Sequence, residues 1–551
     1  MRKKRILFAN DAHYLGTGYG VYGKELATRL HNTGKYEIAE IACYANTEQA
    51  KQHSDVPWKI YPNSPDANDT EDIKQKYNAI GPVAHFGGWR FHEILCHFHP
   101  DIVFDIRDYW MYSFEEVCFY RPFFKWVVMP TVDSYPQNKD WLMTFKNMDL
   151  IIPYTDWARN TLQQQCGDSI NMFSKIANAG VNLETFTPLP LEEKKRKQTE
   201  MFGKEVSITG AVMRNQKRKL IPDIFMCYRA YLDRLISENK NELYDKSYLF
   251  IHTTYPEVGG WDIPSLLIEH KLADKVYFTS ICSGCSGVFA TKFHENVGTC
   301  PSCKEHKLYH CGTSYPIPTE VLAKIYQSFD LFLQVAICEG FGMPQVEAAA
   351  CGIPIASVNY SAMTEIVRNL EGYPIPVKTL FRELETGANR AYPDHDALID
   401  ILYKHHVLTT EEQKQNMSQN TRKLCEKYYS WEQVTNVWDE ALSSVDISTN
   451  EKWDAPSRKP DSVKVPPNLD EYSFVKFILD NIIKEPWMIN TSNILKLIRD
   501  LCNGYDKSGK KPMNHQLAKL QLENLLKSKI STDTLRTAEN PQLFQEPFLN
   551  V

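Results

Sequence analysis

Two carboxylates, Glu339 and Glu347, stand eight positions apart around the turn Gly340-Phe341-Gly342-Met343-Pro344. The apolar run at 331–336 before them reads as a buried parallel strand. Residues 344–350 after them read as a helix, with Pro344 in the first turn, where a missing N–H costs little. Glu339 is therefore expected at a strand's carboxyl end and Glu347 on the first helical turns. Gly340 and Gly342 flank Phe341 and leave backbone N–H groups free to approach an anion or sugar hydroxyls. A second constellation is Cys282-x-x-Cys285, fourteen residues, Cys300-x-x-Cys303. Two such knuckles place four thiolates tetrahedrally, the signature of a structural zinc ribbon. His306 and Cys311 are spare candidates, since four ligands already close the site.

The elements that must hold these groups alternate in type. Strands are expected at 6–10, 38–44, 102–106, 126–132 and 150–153, with helical patterns at 21–30, 89–98 and 157–165. The alternation resumes with strands at 207–212, 248–252, 276–279, 331–335 and 353–357. This order argues α/β, with parallel sheets covered on both faces. Two Rossmann-like domains facing a cleft, with ligands at the strands' carboxyl ends, are the expected architecture. The charged stretch 191–197 reads as the link between the halves. Residues 443–469 read as a linker rich in Ser, Pro, Asp and Lys, followed by helices at 474–483, 494–502 and 516–526.

At 551 residues the chain exceeds what one core usually supports. Its 43% hydrophobic and 24% charged content is ordinary globular composition. No apolar run approaches the roughly 18 residues of a membrane span, and the basic start Arg2-Lys3-Lys4-Arg5 precedes too short an apolar run for a signal peptide. A cytoplasmic protein is expected. A formal charge of −6 offers no global attraction to nucleic acid or anionic membrane. Fourteen cysteines in such a chain argue core thiols and a metal site rather than disulfides.

The segment Cys338-Glu339-Gly340-Phe341-Gly342-Met343-Pro344 through Glu347 and Gly352 resembles the retaining GT-B glycosyltransferases. That family includes sucrose-phosphate synthases and bacterial mannosyltransferases and carries a Glu-x7-Glu signature. The resemblance covers roughly residues 5–445, with the ribbon as an insertion. It implies a donor domain at 188–430 carrying the zinc ribbon at 281–312, an acceptor-side domain at 1–187, and a helix at 431–446 returning to brace that first domain. A linker at 447–470 and a helical extension at 471–551, which could support an oligomer, complete the expected organisation.

The resemblance also assigns roles. Arg214 and Lys219, five apart after the strand at 207–212, correspond to the cation pair that grips the donor diphosphate, although Met213 replaces the usual glycine. Such fixed charges stabilise a leaving group without reorganising. Glu347 corresponds to the residue on the ribose hydroxyls, and Glu339 to the one beside the sugar ring. Gly16 and Gly18 lie in a glycine-rich loop read as facing the donor phosphate; the literal Gly-x-Gly-x-x-Gly from Gly18 begins too far past Asn10 for a nicotinamide site. Gly180-Val181-Asn182 resembles the motif closing the first domain, with Asn for Asp. Many relatives place a histidine near position 133, where this chain has Asp133, so that role does not carry over. An aspartate there would accept from a sugar hydroxyl, help deprotonate the acceptor, or simply form the turn. Asp105, Arg107 and Asp108 are weaker candidates for the acceptor side. His13, His92, His97 and His99 read as packed or surface residues.

The implied activity is transfer of a sugar from a UDP- or GDP-linked donor to a glycan, lipid or small-molecule hydroxyl, without a catalytic metal. Two rivals stand beside it. One glycosylates hydroxylated bases of DNA, with the ribbon as a clamp; the other is a non-catalytic nucleotide-sugar-binding protein.

Overall fold

Strand–helix alternation builds two parallel sheets, one in each half of the chain. The computed structural model describes residues 2–293, 298–312, 315–453, 466, 469–481, 517, 518, 520 and 521. The first sheet contains β1 (Lys4–Asp11), β2 (Tyr36–Cys43), β3 (Lys59–Pro62), β4 (Ile102–Asp105), β5 (Lys125–Val128) and β6 (Leu150–Ile151). Its order is β3-β2-β1-β4-β5-β6, all parallel. The order reverses between β1 and β4, which opens a crevice at their carboxyl ends.

The second sheet contains β7 (Ser207–Val212), β8 (Ser247–His252), β9 (Val276–Cys282), β10 (Val288–Thr291), β11 (Leu308–His310), β12 (Leu331–Gln334), β13 (Ile355–Val358) and β14 (Tyr373–Ile375). Its path is β10-β9-β8-β7-β12-β13-β14, with its own reversal between β7 and β12. β10 and β11 both pair antiparallel with β9 and extend the sheet into the cysteine ribbon. A two-stranded hairpin, β15 (Val377–Arg382) and β16 (Asn389–Pro393), follows.

Four differences from the sequence reading have local causes. β3 carries the mixed pattern Lys-Ile-Tyr-Pro at a sheet edge, so hydrophobic periodicity does not reveal it. β5 stops at Val128, because Pro130 cannot donate to a ladder. The stretch read as a link is the helix Leu191–Phe202: Pro190 precedes it, and Glu192 and Glu193 complement its dipole. It lies on the second domain, where Lys194 pairs with Asp330 at 2.8 Å and Gln198 donates to the Ser328 carbonyl. Part of the expected linker is also anchored, with Trp453 stacked on His99 and Asn450 donating to the Asp101 carbonyl.

One apolar core runs through both halves. Helix Trp431–Ser444 returns to the first sheet, where fully buried Trp438 packs edge-on against Phe104 and donates to the Tyr22 hydroxyl at 2.7 Å. Lys4 donates to the carbonyls of Leu442, Ser443 and Val445, occupying that helix's free acceptors. A helix Glu471–Asn481 begins the extension. The helix expected over 494–502 and most of that over 516–526, and with them the oligomer contact expected of the extension, lie outside the described residues. Among the described residues no helix is long and apolar enough to cross a membrane.

Candidate functional site

The carboxyl ends of β7 and β12 flank the second sheet's crevice, and Glu339 sits there. The residue is 5% exposed. Gln334 at the end of β12 donates to its Oε1 at 2.8 Å, and its own N–H donates to the Ser361 hydroxyl at 3.0 Å. Arg218 pairs with its Oε2 at 2.8 Å, and Lys219 contacts its Oε1. Burial alone would raise this carboxyl, but the Arg218 and Lys219 cations outweigh it and hold it at about 2. The same burial, with Arg218 alongside, lowers Lys219. The two-cation turn is docked by backbone as well: the Ile337 N–H donates to the Arg218 carbonyl, and Arg218 reaches the Cys338 carbonyl.

Arg214 is placed differently. It is half exposed and paired with Glu257 at 2.7 Å, on the loop held by Thr254 and Asn215. The residue that joins Lys219 on Glu339 is Arg218, which the five-residue spacing from Arg214 to Lys219 does not single out. Arg218 and Lys219 both sit on the short 3-10 turn Lys217–Lys219, which a left-handed Leu220, φ 43°, joins to the helix that follows.

Gly342, at φ +93°, opens helix Met343–Ala350, a conformation that a side chain would strain. Gly340 is needed for close approach: a Cβ there would lie 2.3 Å from Thr131 Cγ2 of the first domain. Phe341 stacks on Tyr154 at 4.8 Å, again across the domain boundary. Glu347 accepts from the Tyr326 hydroxyl at 2.7 Å. Burial pushes its carboxyl up to about 7, the Tyr326 bond offsetting only part.

The first domain supplies the opposite wall. Helix Gly18–Asn32 is capped by Thr17, whose hydroxyl accepts from the Gly20 N–H and donates to Asp11. A Cβ at Gly18 would come within 3.9 Å of Met343 Sδ, while nothing lies within 4 Å of one at Gly16. Two helix amino termini thus approach each other over open space, an arrangement that favours an anion. Asp108 lies close enough to feel both Arg218 and Asp133. Burial and then Asp133 raise it to about 7, against the Tyr19 hydroxyl and Arg218. Asp133 pairs with Arg390 at 2.9 Å and accepts from Ser134 and from the Cys338 thiol. Arg390 also pairs with Glu383, so the β15–β16 hairpin clasps the first domain, with the Asn389 N–H donating to the Tyr135 carbonyl. Nothing local in the sequence signals Arg390.

Asp105 and Arg107 correct the acceptor-side expectation. Both are fully buried, forming with Glu115 a charged cluster inside the first domain, where Trp126 donates to Glu115 at 2.6 Å. His13 is buried against Glu40 at 2.9 Å, and His97 meets the Tyr61 hydroxyl at 2.8 Å.

The cysteine ribbon stands at the carboxyl end of β9. The sulfurs of Cys282, Cys285, Cys300 and Cys303 lie within 4.8 Å of one another, with Cys282–Cys303 and Cys285–Cys300 at 3.7 Å. Tetrahedral metal–thiolate bonds of about 2.3 Å require sulfurs about 3.8 Å apart, so the donor set fits a structural metal. The N–H groups of Gly284 and Cys285 both point at Cys282 Sγ from 3.4 Å, which stabilises a thiolate. His306 comes within 3.6 Å of Cys303 Sγ, whereas Cys311 turns away to the Thr253 carbonyl.

Comparison with known proteins agrees with this architecture. Residues 310–424 match the family described as Glycosyl transferases group 1. Over 126 residues the chain is 26% identical to the UDP-N-acetylglucosamine–peptide N-acetylglucosaminyltransferase GtfA subunit of Streptococcus gordonii, a match spanning 22% of each protein. Among solved structures, sucrose-phosphate synthase from Thermosynechococcus elongatus superposes with a TM-score of 0.55 at 15% identity, over 81% of this chain and all of that one. Anabaena HepE, solved in complex with UDP and glucose, gives 0.51 at 11% identity over 80% of this chain and all of that one. The fold is GT-B: two Rossmann-like domains flanking a cleft, with a four-cysteine cluster and C-terminal helices.

Proposed function

We propose that the protein is a retaining glycosyltransferase moving a sugar from a UDP- or GDP-linked donor to an acceptor hydroxyl. The observation that carries this reading is Glu339, ionised and clamped by Arg218 and Lys219 at the crevice of the second sheet, inside the segment that matches the family. A bound diphosphate would lie between these cations and the paired helix termini at Gly18 and Met343. As the anomeric C–O bond breaks, its electron pair passes to the diphosphate, whose growing charge the fixed cations and amides stabilise. The acceptor oxygen attacks the same face and gives its proton to the departing phosphate oxygen, so configuration is kept. Glu347 would accept from the ribose hydroxyls.

Arg218 shares Glu339 with Lys219, whereas Arg214 is drawn to Glu257, so Arg218 is taken as the partner of Lys219 on the diphosphate. Asp133 and Asp108, on the first domain, would contact donor sugar or acceptor. Glycan, lipid or small-molecule acceptors are the expected class. The ribbon is assigned zinc on Cys282, Cys285, Cys300 and Cys303, away from the reacting atoms.

The test is turnover of a panel of UDP- and GDP-sugars, followed by glycan, lipid and modified-DNA acceptors with whichever donor reacts. A single accepted donor, with product retaining the anomeric configuration, is expected; binding of no nucleotide sugar by folded protein would reject the reading.

A further inference from the structure

At the opposite end of the second sheet from the cleft, three lysines converge on one tyrosine. Tyr248 is the second residue of β8 and Tyr277 the second of β9, with ring centroids 5.2 Å apart. The ammonium nitrogens of Lys204, Lys275 and Lys292 lie 4.5, 4.9 and 4.4 Å from the centroid of Tyr248. Lys292 is also 3.3 Å from the centroid of Tyr277. Three points that close to one centre sit within about 10 Å of each other, comparable to the screening length of about 8 Å at physiological salt.

Such crowding is unfavourable without a counter-charge. Among the described residues, none of the three lysines makes an ion pair with a carboxylate. Asp245 and Asp274 act only at longer range, and Arg229, already paired with Asp233, adds positive charge. Lys204 reaches the Tyr248 hydroxyl and Lys275 the Tyr244 carbonyl, but Lys292 Nζ is buried with no hydrogen-bond acceptor. Burial, and then Lys204, pushes Lys292 down to about 7; burial takes Lys275 to about 8. An ammonium buried without an acceptor is costly unless a partner is supplied.

We propose that Lys204, Lys275 and Lys292, with the hydroxyls of Tyr248 and Tyr277, form an oxyanion site for a phosphate group, separate from the donor cleft. Lys204 is exposed and forms the outer wall through which the anion enters. A free phosphate and a backbone phosphate of nucleic acid present the same oxygens to it.

The test uses the full chain. Thermal melting and calorimetric titration with inorganic phosphate are compared with chloride at matched ionic strength, for wild type, Lys204→Ala and Lys292→Met. Phosphate is expected to raise the melting temperature of wild type, and both variants to bind it at least tenfold more weakly. UDP binding should be unchanged in both variants, which separates this site from the cleft. Without phosphate, Lys292→Met should melt no lower than wild type, since it removes an unpaired buried cation. A single-stranded oligonucleotide displaced by phosphate, and weakened by Lys204→Ala, would identify backbone phosphate as the source; an oligonucleotide indifferent to both would leave free phosphate. An equal phosphate response in wild type and Lys292→Met, or none in wild type, would overturn the site.

Discussion

Glu339 keeps its charge in a buried place because two cations surround it, and in the proposed mechanism the carboxylate holds those cations toward the diphosphate. Glu339→Gln should lower transfer by about 100-fold or more, the scale of losing one preorganised electrostatic contact. Arg218→Ala should cost a comparable factor, while Arg214→Ala, whose partner is Glu257, should cost clearly less; steady-state kinetics of the three would rank them. Glu347 behaves oppositely, since burial lifts its carboxyl to about 7. With Glu347 on the ribose as proposed, the ionised form is the stronger acceptor, so UDP affinity should fall as pH drops through about 7, by up to about tenfold per pH unit below it. Removing the Tyr326 hydroxyl with Tyr326→Phe should raise Glu347 further and shift that profile upward, read by titrating UDP across pH.

At the scale of elements, the ribbon and the returning helix are stabilising devices of different kinds. Among the described residues the ribbon buries few apolar side chains beyond Cys282, Cys300 and Leu308, so a metal on its four thiolates would set its geometry. A single equivalent of zinc is expected by elemental analysis, lost in Cys300→Ser together with several degrees of melting temperature. Helix Trp431–Ser444 holds by packing instead. Trp438→Ala removes a fully buried indole and its bond to Tyr22, and should destabilise by about 3–5 kcal/mol in denaturant unfolding.

For the whole molecule, the decisive contacts are those that cross the cleft: Asp133 with Arg390, Gly340 against Thr131, and Phe341 on Tyr154. Arg390→Met strands the carboxylates of Asp133 and Glu383 and should loosen the two halves, seen as a larger radius of gyration by X-ray scattering. The sequence by itself determined the α/β alternation, the strand–turn–helix that presents Glu339 and Glu347, and the four metal-binding cysteines. Each is set by neighbours in the chain, through hydrophobic period, glycine and proline placement, or short ligand spacing. Tertiary structure alone decided that Arg218 rather than Arg214 meets Glu339, that Arg390 closes on Asp133, and that Asp105 and Arg107 are core. It also gathered Lys204, Lys275 and Lys292 around Tyr248. Most of those contacts join residues tens to hundreds of positions apart, and the electrostatics of a side chain follow from what the fold brings against it.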